Sequence, residues 1–259
     1  MIMLGTTEFR RIQATCWNAD DRLTRYGQGW GCHPSGIAHA GVLLPTRTLR
    51  MRRPASLASS MIWRSRSVLP NRIGCCRSAR FRCRIQTQRV RRSNAAVANG
   101  HRGVEIGNHV GDRDLDDAGI VTFLQHCARL GVPVFVHPWD MPESPRLNRW
   151  MARWLTGMPA ETHLSILAMI LGGVFDQVDE SLRICFAHGG GSFAFWLGRM
   201  DNAWRARNDI IGTSAEPPSH YVRRFYVDSV VFDERALATS SSIPWVSTGW
   251  SSAVTIRIR

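Results

Sequence analysis

Lysine is absent from the whole chain, so all 33 permanently basic side chains are arginine. That bias points to a GC-rich coding sequence. A second absence is local. Between Arg22 and Val104 there is no Asp or Glu at all, against seventeen Arg. From Glu105 onward fourteen Arg face seventeen acids, so the formal charge of +13 originates in one block of an otherwise slightly acidic chain. A nucleic-acid binder, which a global excess of this size suggests, is therefore not the leading expectation. Long apolar runs are missing too: the longest, Leu164 to Phe175, falls short of the roughly 20 residues that span a bilayer. Cys75, Cys76 and Cys83 lack the paired spacing of a zinc knuckle. Seven cysteines, an odd number at irregular spacing without a signal peptide, read as a reducing, cytoplasmic setting.

What is present divides into two kinds of sequence. Residues 22–93, as in "TRTLRMRRPASLASSMIWRSRSV", carry neither a helical nor a strand period over a useful length. Three readings fit this block. It could be a basic arm for phosphates, an acid-poor transit-like segment, or a coding region read out of frame, and the last fits best. From Asn94 the pattern changes. "NAAVANGH" ends as a helix does, with Asn99-Gly100 suited to a left-handed stop. "GVEIGN", "VPVFVH", "LRICFAH" and "RFYVDS" read as short buried strands. "DRDLDDAGIVTFLQHCARLG", "PAETHLSILAMILGGVFDQV" and "FAFWLGRMDNAWRAR" read as helices, the first with acids placed in its first turn. Strand and helix alternate through short loops, which implies βαβ units on a parallel sheet. Four strands are half of the eight that close a barrel.

Polar residues end those strands: Asn108, His137, His188 and Asp228. In a parallel α/β barrel the strand C-termini share one rim, so these side chains converge there. Imidazole and carboxylate at such a rim suit a divalent metal whose open position acidifies water. Each residue has a plainer reading as a cap for the following helix, and for Asp228 that is the stronger one. After His188 come three glycines. They either make a tight strand-to-helix turn or leave room for a ligand beside the imidazole.

"VPVFVHPWDM", "WMARWLTGMPAETHLSILAMILGGVF", "LRICFAHGGGSFAFWLGRMDNAW" and "FYVDSVVFD" closely resemble the 2-amino-3-carboxymuconate-6-semialdehyde decarboxylases, metal-dependent members of the amidohydrolase-type β/α-barrel superfamily. The resemblance covers about residues 94–237 and a short early piece, "IMLGTTEFRRI". It implies an α/β fold, an incomplete amidohydrolase-type (β/α)8 TIM barrel preceded by a disordered Arg-rich segment. It also implies a zinc cofactor with His137 as a ligand, and His188 as the acid/base beside the metal-bound water. Arg10 and Arg199 would hold substrate carboxylates, Arg199 reaching across a homodimer interface in intact relatives. Trp154 would line the substrate pocket, and by the same resemblance the three glycines would leave room beside His188 for metal, water and substrate. Bidentate arginine suits a small carboxylate-rich substrate, and the base needs a pKa near operating pH.

The chain also departs from that family. The His-x-His pair expected on the first strand has no counterpart before "IMLGTTEF", and the late Gly-x-Asp-Tyr-Pro strand is replaced by "ATSSSIPWVSTGWSSAVTIRIR". Ala253 to Arg259 can be encoded so that a frame starting two bases later reads Gly-Asp-Tyr-Pro-Tyr-Pro. Gly36 to Leu44 can be encoded so that the next frame reads Ala-Ser-Pro-Thr-Pro-Val-Phe-Ser-Tyr, similar to the family's early barrel region. The expected organisation is therefore 1–21, a remnant of an early barrel loop; 22–93, out of frame or disordered; 94–237, the partial barrel; and 238–259, an out-of-frame tail. The expected function is a zinc-dependent decarboxylase of tryptophan or aromatic catabolism, truncated and impaired in this copy. The rivals are a related decarboxylase or hydrolase acting on another aromatic acid, and a non-catalytic Arg-rich nucleic-acid-binding protein.

Overall fold

Strand and helix alternate in space as they do along the chain. The structure, a computed structural model, describes residues 2–4, 7–10, 78–80, 94, 98, 103–138, 141, 144–207, 209, 211–228, 230–233, 236, 245–246 and 255–258. In chain order the elements are β1 (Ile2–Leu4), β2 (Thr7–Arg10), β3 (Ser78–Arg80), β4 (Gly103–Ile106), α1 (Ala118–Arg129), β5 (Val134–Val136), α2 (Met158–Leu171), α3 (Val174–Gln177), β6 (Ile184–Phe186), α4 (Phe193–Ala206), β7 (Tyr226–Asp228), β8 (Trp245–Val246) and β9 (Thr255–Ile258).

Strands β1 and β2 form an antiparallel pair. The remaining seven share one sheet in the order β3-β4-β5-β6-β7-β9-β8. From β3 to β7 every neighbour is parallel and follows in chain order, which is an arc of a β/α barrel. Strand β9 then joins β7 antiparallel, and β8 pairs antiparallel with β9. The fold is thus a partial β/α barrel. The four strands legible in the sequence are its central arc, and β3 extends that arc from within the Arg-rich block.

Alternation along the strands separates two faces. Val104, Ile106, Val134, Val136, Ile184, Phe186 and Val227 point to the helices and pack in one core with Phe123, Leu124, Ile166, Met169, Phe175 and Phe225. Phe225 is its centre, with Phe175 stacked on it at 5.9 Å and Phe186 and Phe193 edge-on at 5.5 and 5.6 Å. The opposite parity carries Glu105, Phe135, Cys185 and Tyr226 in one register row. Two residues on, the same parity puts His137 and Asp228 just above that row.

Two helices differ from their sequence reading. Helix α1 begins at Ala118 with Asp117 as its N-cap, the carboxylate accepting the Gly119 amide at 2.9 Å. Asp112, Asp114 and Asp116 therefore precede the helix instead of lying in its first turn. The long helix expected over "PAETHLSILAMILGGVFDQV" stops at Leu171. Gly173 takes a left-handed φ of 66° and the chain restarts as the short α3, so two adjacent glycines outweighed the apolar periodicity. Of "NAAVANGH" only Asn94 and Ala98 are described, both helical. No helix among the described residues is long and apolar enough to cross a membrane.

Candidate active site

The strand C-termini bring the two histidines together. The His137 amide donates to the Ile106 carbonyl at 3.0 Å and the Ala187 amide to Val136 at 3.0 Å, so parallel pairing continues just past each strand end. His137 and His188 consequently lie ring to ring, with centroids 4.9 Å apart and planes at 58°. Both are half-buried. Phe135 sits below His137 at 6.2 Å.

Three neighbours define the rest of the rim. His188 has a φ of 57°, a left-handed conformation that non-glycine residues adopt at a cost and that is over-represented at functional sites. Asp228, at the end of β7, holds that strained turn: its Oδ1 accepts the Gly189 amide at 2.8 Å and the Val230 amide at 3.1 Å. Burial pushes the Asp228 carboxyl above its ordinary pKa, against the opposing pull of the amides of Gly189, Val230 and His188. Asp228 thus accepts from the turn after β6 and from the residue two ahead of it, not from the start of a following helix. Asn108, at the end of β4, donates a short hydrogen bond to Glu161 Oε2 in the first turn of α2. Burial raises the Glu161 pKa, with Asp114 adding to the rise and His109 and Asn108 opposing it. Beside Glu161, the fully buried Thr162 meets His188 Nδ1 at 3.1 Å.

The glycines after His188 do not leave a vacancy. A Cβ on Gly189 would stand 2.3 Å from Val231 Cγ1, and one on Gly191 would stand 2.1 Å from the Pro159 carbonyl oxygen, both at positive φ. The protein itself occupies the space the side chains would need, so the tight-turn reading holds and the ligand-room reading does not. Ser192, at the start of α4, makes no capping hydrogen bond; its hydroxyl is 2.9 Å from His163 Nδ1.

The other sequence candidates are placed differently. Trp154 lies in a π-helical turn, Arg153–Gly157, and is 41% exposed. The turn follows Trp150 and Met151, both at positive φ. Arg199 is exposed on α4, its guanidinium 5.8 Å from the centre of the Trp196 ring. Arg10 closes β2 opposite Ile2, and its side chain lies outside the described residues, as do Trp139 and Asp140 of the "HPWD" motif. Glu161 and Thr162 were missed in the sequence; the only signal was a polar pair opening an otherwise apolar helix. A cavity of about 780 Å³ lined by Arg183, His220, Arg223, Arg224 and Tyr226 lies at the N-terminal ends of β6 and β7. It is therefore on the end of the sheet that does not carry barrel chemistry.

A catalytic zinc site takes about three protein ligands plus an open position. Among the described residues no three His, Cys, Asp or Glu side chains gather to hold a metal. His137 and His188 make a pair only, and the Asp228 Oδ1 is engaged by amides. These residues do not fit a complete zinc centre. What the arrangement supports is proton transfer at an imidazole whose backbone and ring are both held.

The chain is similar to known proteins in sequence and in fold. The chain is 44% identical to the 2-amino-3-carboxymuconate-6-semialdehyde decarboxylase of Dictyostelium discoideum over 136 residues, which is 52% of this chain and 38% of that protein. It spans less than half the length of the curated relatives it matches. In fold it resembles 5-carboxyvanillate decarboxylase of Sphingomonas paucimobilis, with a TM-score of 0.67 and 20% identity over 86% of this chain and 68% of that one. It also resembles a dihydroxybenzoic acid decarboxylase from a Polaromonas species, solved with bound manganese, with a TM-score of 0.59 and 18% identity over 73% and 59% of the two chains. The amidohydrolase family model matches residues 81–241, so the match takes in β4 to β7 and the whole histidine rim. It also reaches thirteen residues into the block that composition sets apart before Asn94. On that match, which spans more than half of its length, the chain belongs to the amidohydrolase family.

Proposed function

We propose that this chain derives from a non-oxidative decarboxylase of 2-amino-3-carboxymuconate 6-semialdehyde, with His188 as its proton-transfer residue. The observation that carries the reading is the pairing of His137 and His188 at 4.9 Å on the strand-end rim, in a chain 44% identical over 136 residues to a protein of that name. In such a reaction the bond to the departing carboxyl carbon breaks, carbon dioxide leaves, and a proton takes its place on the substrate carbon. His188 delivers that proton and regains one from water. The substrate is a small polycarboxylate, which Arg10 and Arg199 would bind through paired N–H groups, while Trp154 would offer an aromatic wall. Intact relatives would assemble as homodimers. Zinc or another divalent ion would serve the intact enzyme, with His137 as one ligand.

This copy is impaired on the same reading. One histidine ligand, the role this reading gives His137, cannot fix a metal's affinity or geometry. We read residues 22–93 and 238–259 as out-of-frame segments, the second standing where the family's late Gly-x-Asp-Tyr-Pro strand is due, with the family match resuming at residue 81. The test is to resequence the coding locus and to compare the chain as it stands with a version whose frame is restored. The restored protein should retain about one divalent metal per chain after dialysis and decarboxylate 2-amino-3-carboxymuconate 6-semialdehyde in preference to 5-carboxyvanillate. His188→Ala should remove that activity. The chain as it stands should do neither. Turnover and stoichiometric metal in the unrepaired chain would contradict the impairment. Preference for 5-carboxyvanillate would favour the rival aromatic-acid reading.

A further inference from the structure

A hydrogen-bond chain runs from α2 to His188 and reaches its Nδ1 atom. Thr162 Oγ1 donates to the Met158 carbonyl, four residues earlier on α2, at 3.1 Å. A hydroxyl has one hydrogen and two lone pairs. With that hydrogen on Met158, rather than on Nδ1 at the same distance, Oγ1 accepts from His188 Nδ1, which lies 3.1 Å away. Thr162 is 0% exposed, so bulk water does not compete for either bond. The Nδ1 atom must then bring the hydrogen, and in the neutral ring the lone pair falls on Nε2.

We propose that Thr162 is a positioning residue that locks His188 in the Nδ1–H tautomer, making Nε2 the atom that takes and delivers the proton. Two independent contacts act on the same residue. Asp228 fixes the backbone of the His188 turn through the Gly189 amide, and Thr162 fixes the ring. The helix supplies the directionality. A Thr that bonds back to the carbonyl four residues earlier has its lone pairs turned outward from the helix, toward the end of β6 where His188 emerges. Serine would keep this relay; valine, of nearly the same shape, would abolish it. The role in proton delivery rests on the decarboxylase reading above, whereas the tautomer itself does not.

Two-bond proton–nitrogen correlation spectra of uniformly 15N-labelled protein read the tautomer directly, without substrate or metal, at a pH that keeps the imidazoles neutral. Comparison with His188→Gln assigns the signals. His188 should show the Nδ1–H pattern, the reverse of the Nε2–H preference of free histidine. In Thr162→Val the ratio of Nδ1–H to Nε2–H should fall about fivefold or more, as expected for loss of one buried hydrogen bond. Thr162→Ser should retain the parent pattern. An Nε2–H pattern in the parent, or an unchanged ratio in a folded Thr162→Val protein, would overturn the proposal. If Thr162→Val does not fold, the parent and Thr162→Ser spectra decide it alone. A locked Nδ1–H tautomer in a frame-restored protein that does not decarboxylate would refute the decarboxylase reading and leave the Thr162 assignment standing.

Discussion

Asp228 Oδ1 lies 2.8 Å from the amide nitrogen of Gly189, so the end of β7 carries the turn at the end of β6. The same oxygen reaches the Val230 amide. A buried acceptor serving two amides cannot be removed without leaving donors unsatisfied.

Asp228→Ala should therefore destabilise the fold by about 1–3 kcal/mol, and Asp228→Asn, which keeps one acceptor oxygen, by less. The pH dependence has a definite sign. Burial raises the folded-state pKa of Asp228 and likewise that of Glu161, so the folded chain holds these protons more tightly than the unfolded chain. Their contribution is most favourable below the ordinary carboxylate range and declines as pH rises through that range toward the raised values. Urea titrations across the acid range should show that decline, with a shallower slope in Asp228→Asn. A slope that Asp228→Asn leaves unaltered would contradict the buried-carboxyl account.

Gly191 differs from Gly111 in crowding and, through its ψ of −125°, in a backbone conformation closed to L side chains. Both have left-handed φ, but a Cβ at Gly191 meets the Pro159 carbonyl at 2.1 Å whereas one at Gly111 meets nothing within 4 Å. Gly111→Ala should lose about 1 kcal/mol, the conformational penalty alone. Gly191→Ala should lose about 3 kcal/mol or more, because the α2 backbone must also move. Equal losses in thermal or urea unfolding would show that the turn after His188 is not packed as described.

Tyr221 links three segments: its hydroxyl donates to Asp176 Oδ1 at 2.7 Å and accepts the Glu216 amide at 3.1 Å. Burial, reinforced by the Asp176 carboxylate, pushes its pKa from 10.0 up to about 12. The folded chain thus resists losing this proton, and stability should fall as pH climbs from the ordinary tyrosine value toward the raised one. Tyr221→Phe should be less stable at neutral pH and should lose most of that alkaline decline. Denaturation midpoints measured on either side of the ordinary value would check this.

The histidine rim was legible because apolar runs ending in a polar residue mark strand C-termini, and parallel order places those ends together. His137 and His188 needed nothing more. Asp228 was legible as a strand end, but its choice between ligand and cap depends on which amides approach it, and that is fixed by a turn across the sheet. Thr162 and Glu161 escaped because helical periodicity records which residues are buried and not what a buried polar side chain faces. The break at Gly173 escaped for a related reason: the apolar pattern runs straight through it, and only the left-handed φ reveals the stop. Strand β3 was hidden by composition. Ser78–Arg80 sits in an acid-free, Arg-rich stretch, and its place is defined by pairing with β4, a partner more than twenty residues away.

The central claim is that the ends of β5 and β6 put the imidazoles of His137 and His188 side by side, and proton–proton Overhauser contacts test it directly. Selectively labelled protein should show cross-peaks between the ring protons of the two histidines, lost in either His→Gln variant. The Phe186–Phe225 contact, at 5.5 Å between ring centres in the core, provides an internal reference. If that reference cross-peak is present while the histidine pair shows none, the two rings do not share a rim and the assignment of the site fails.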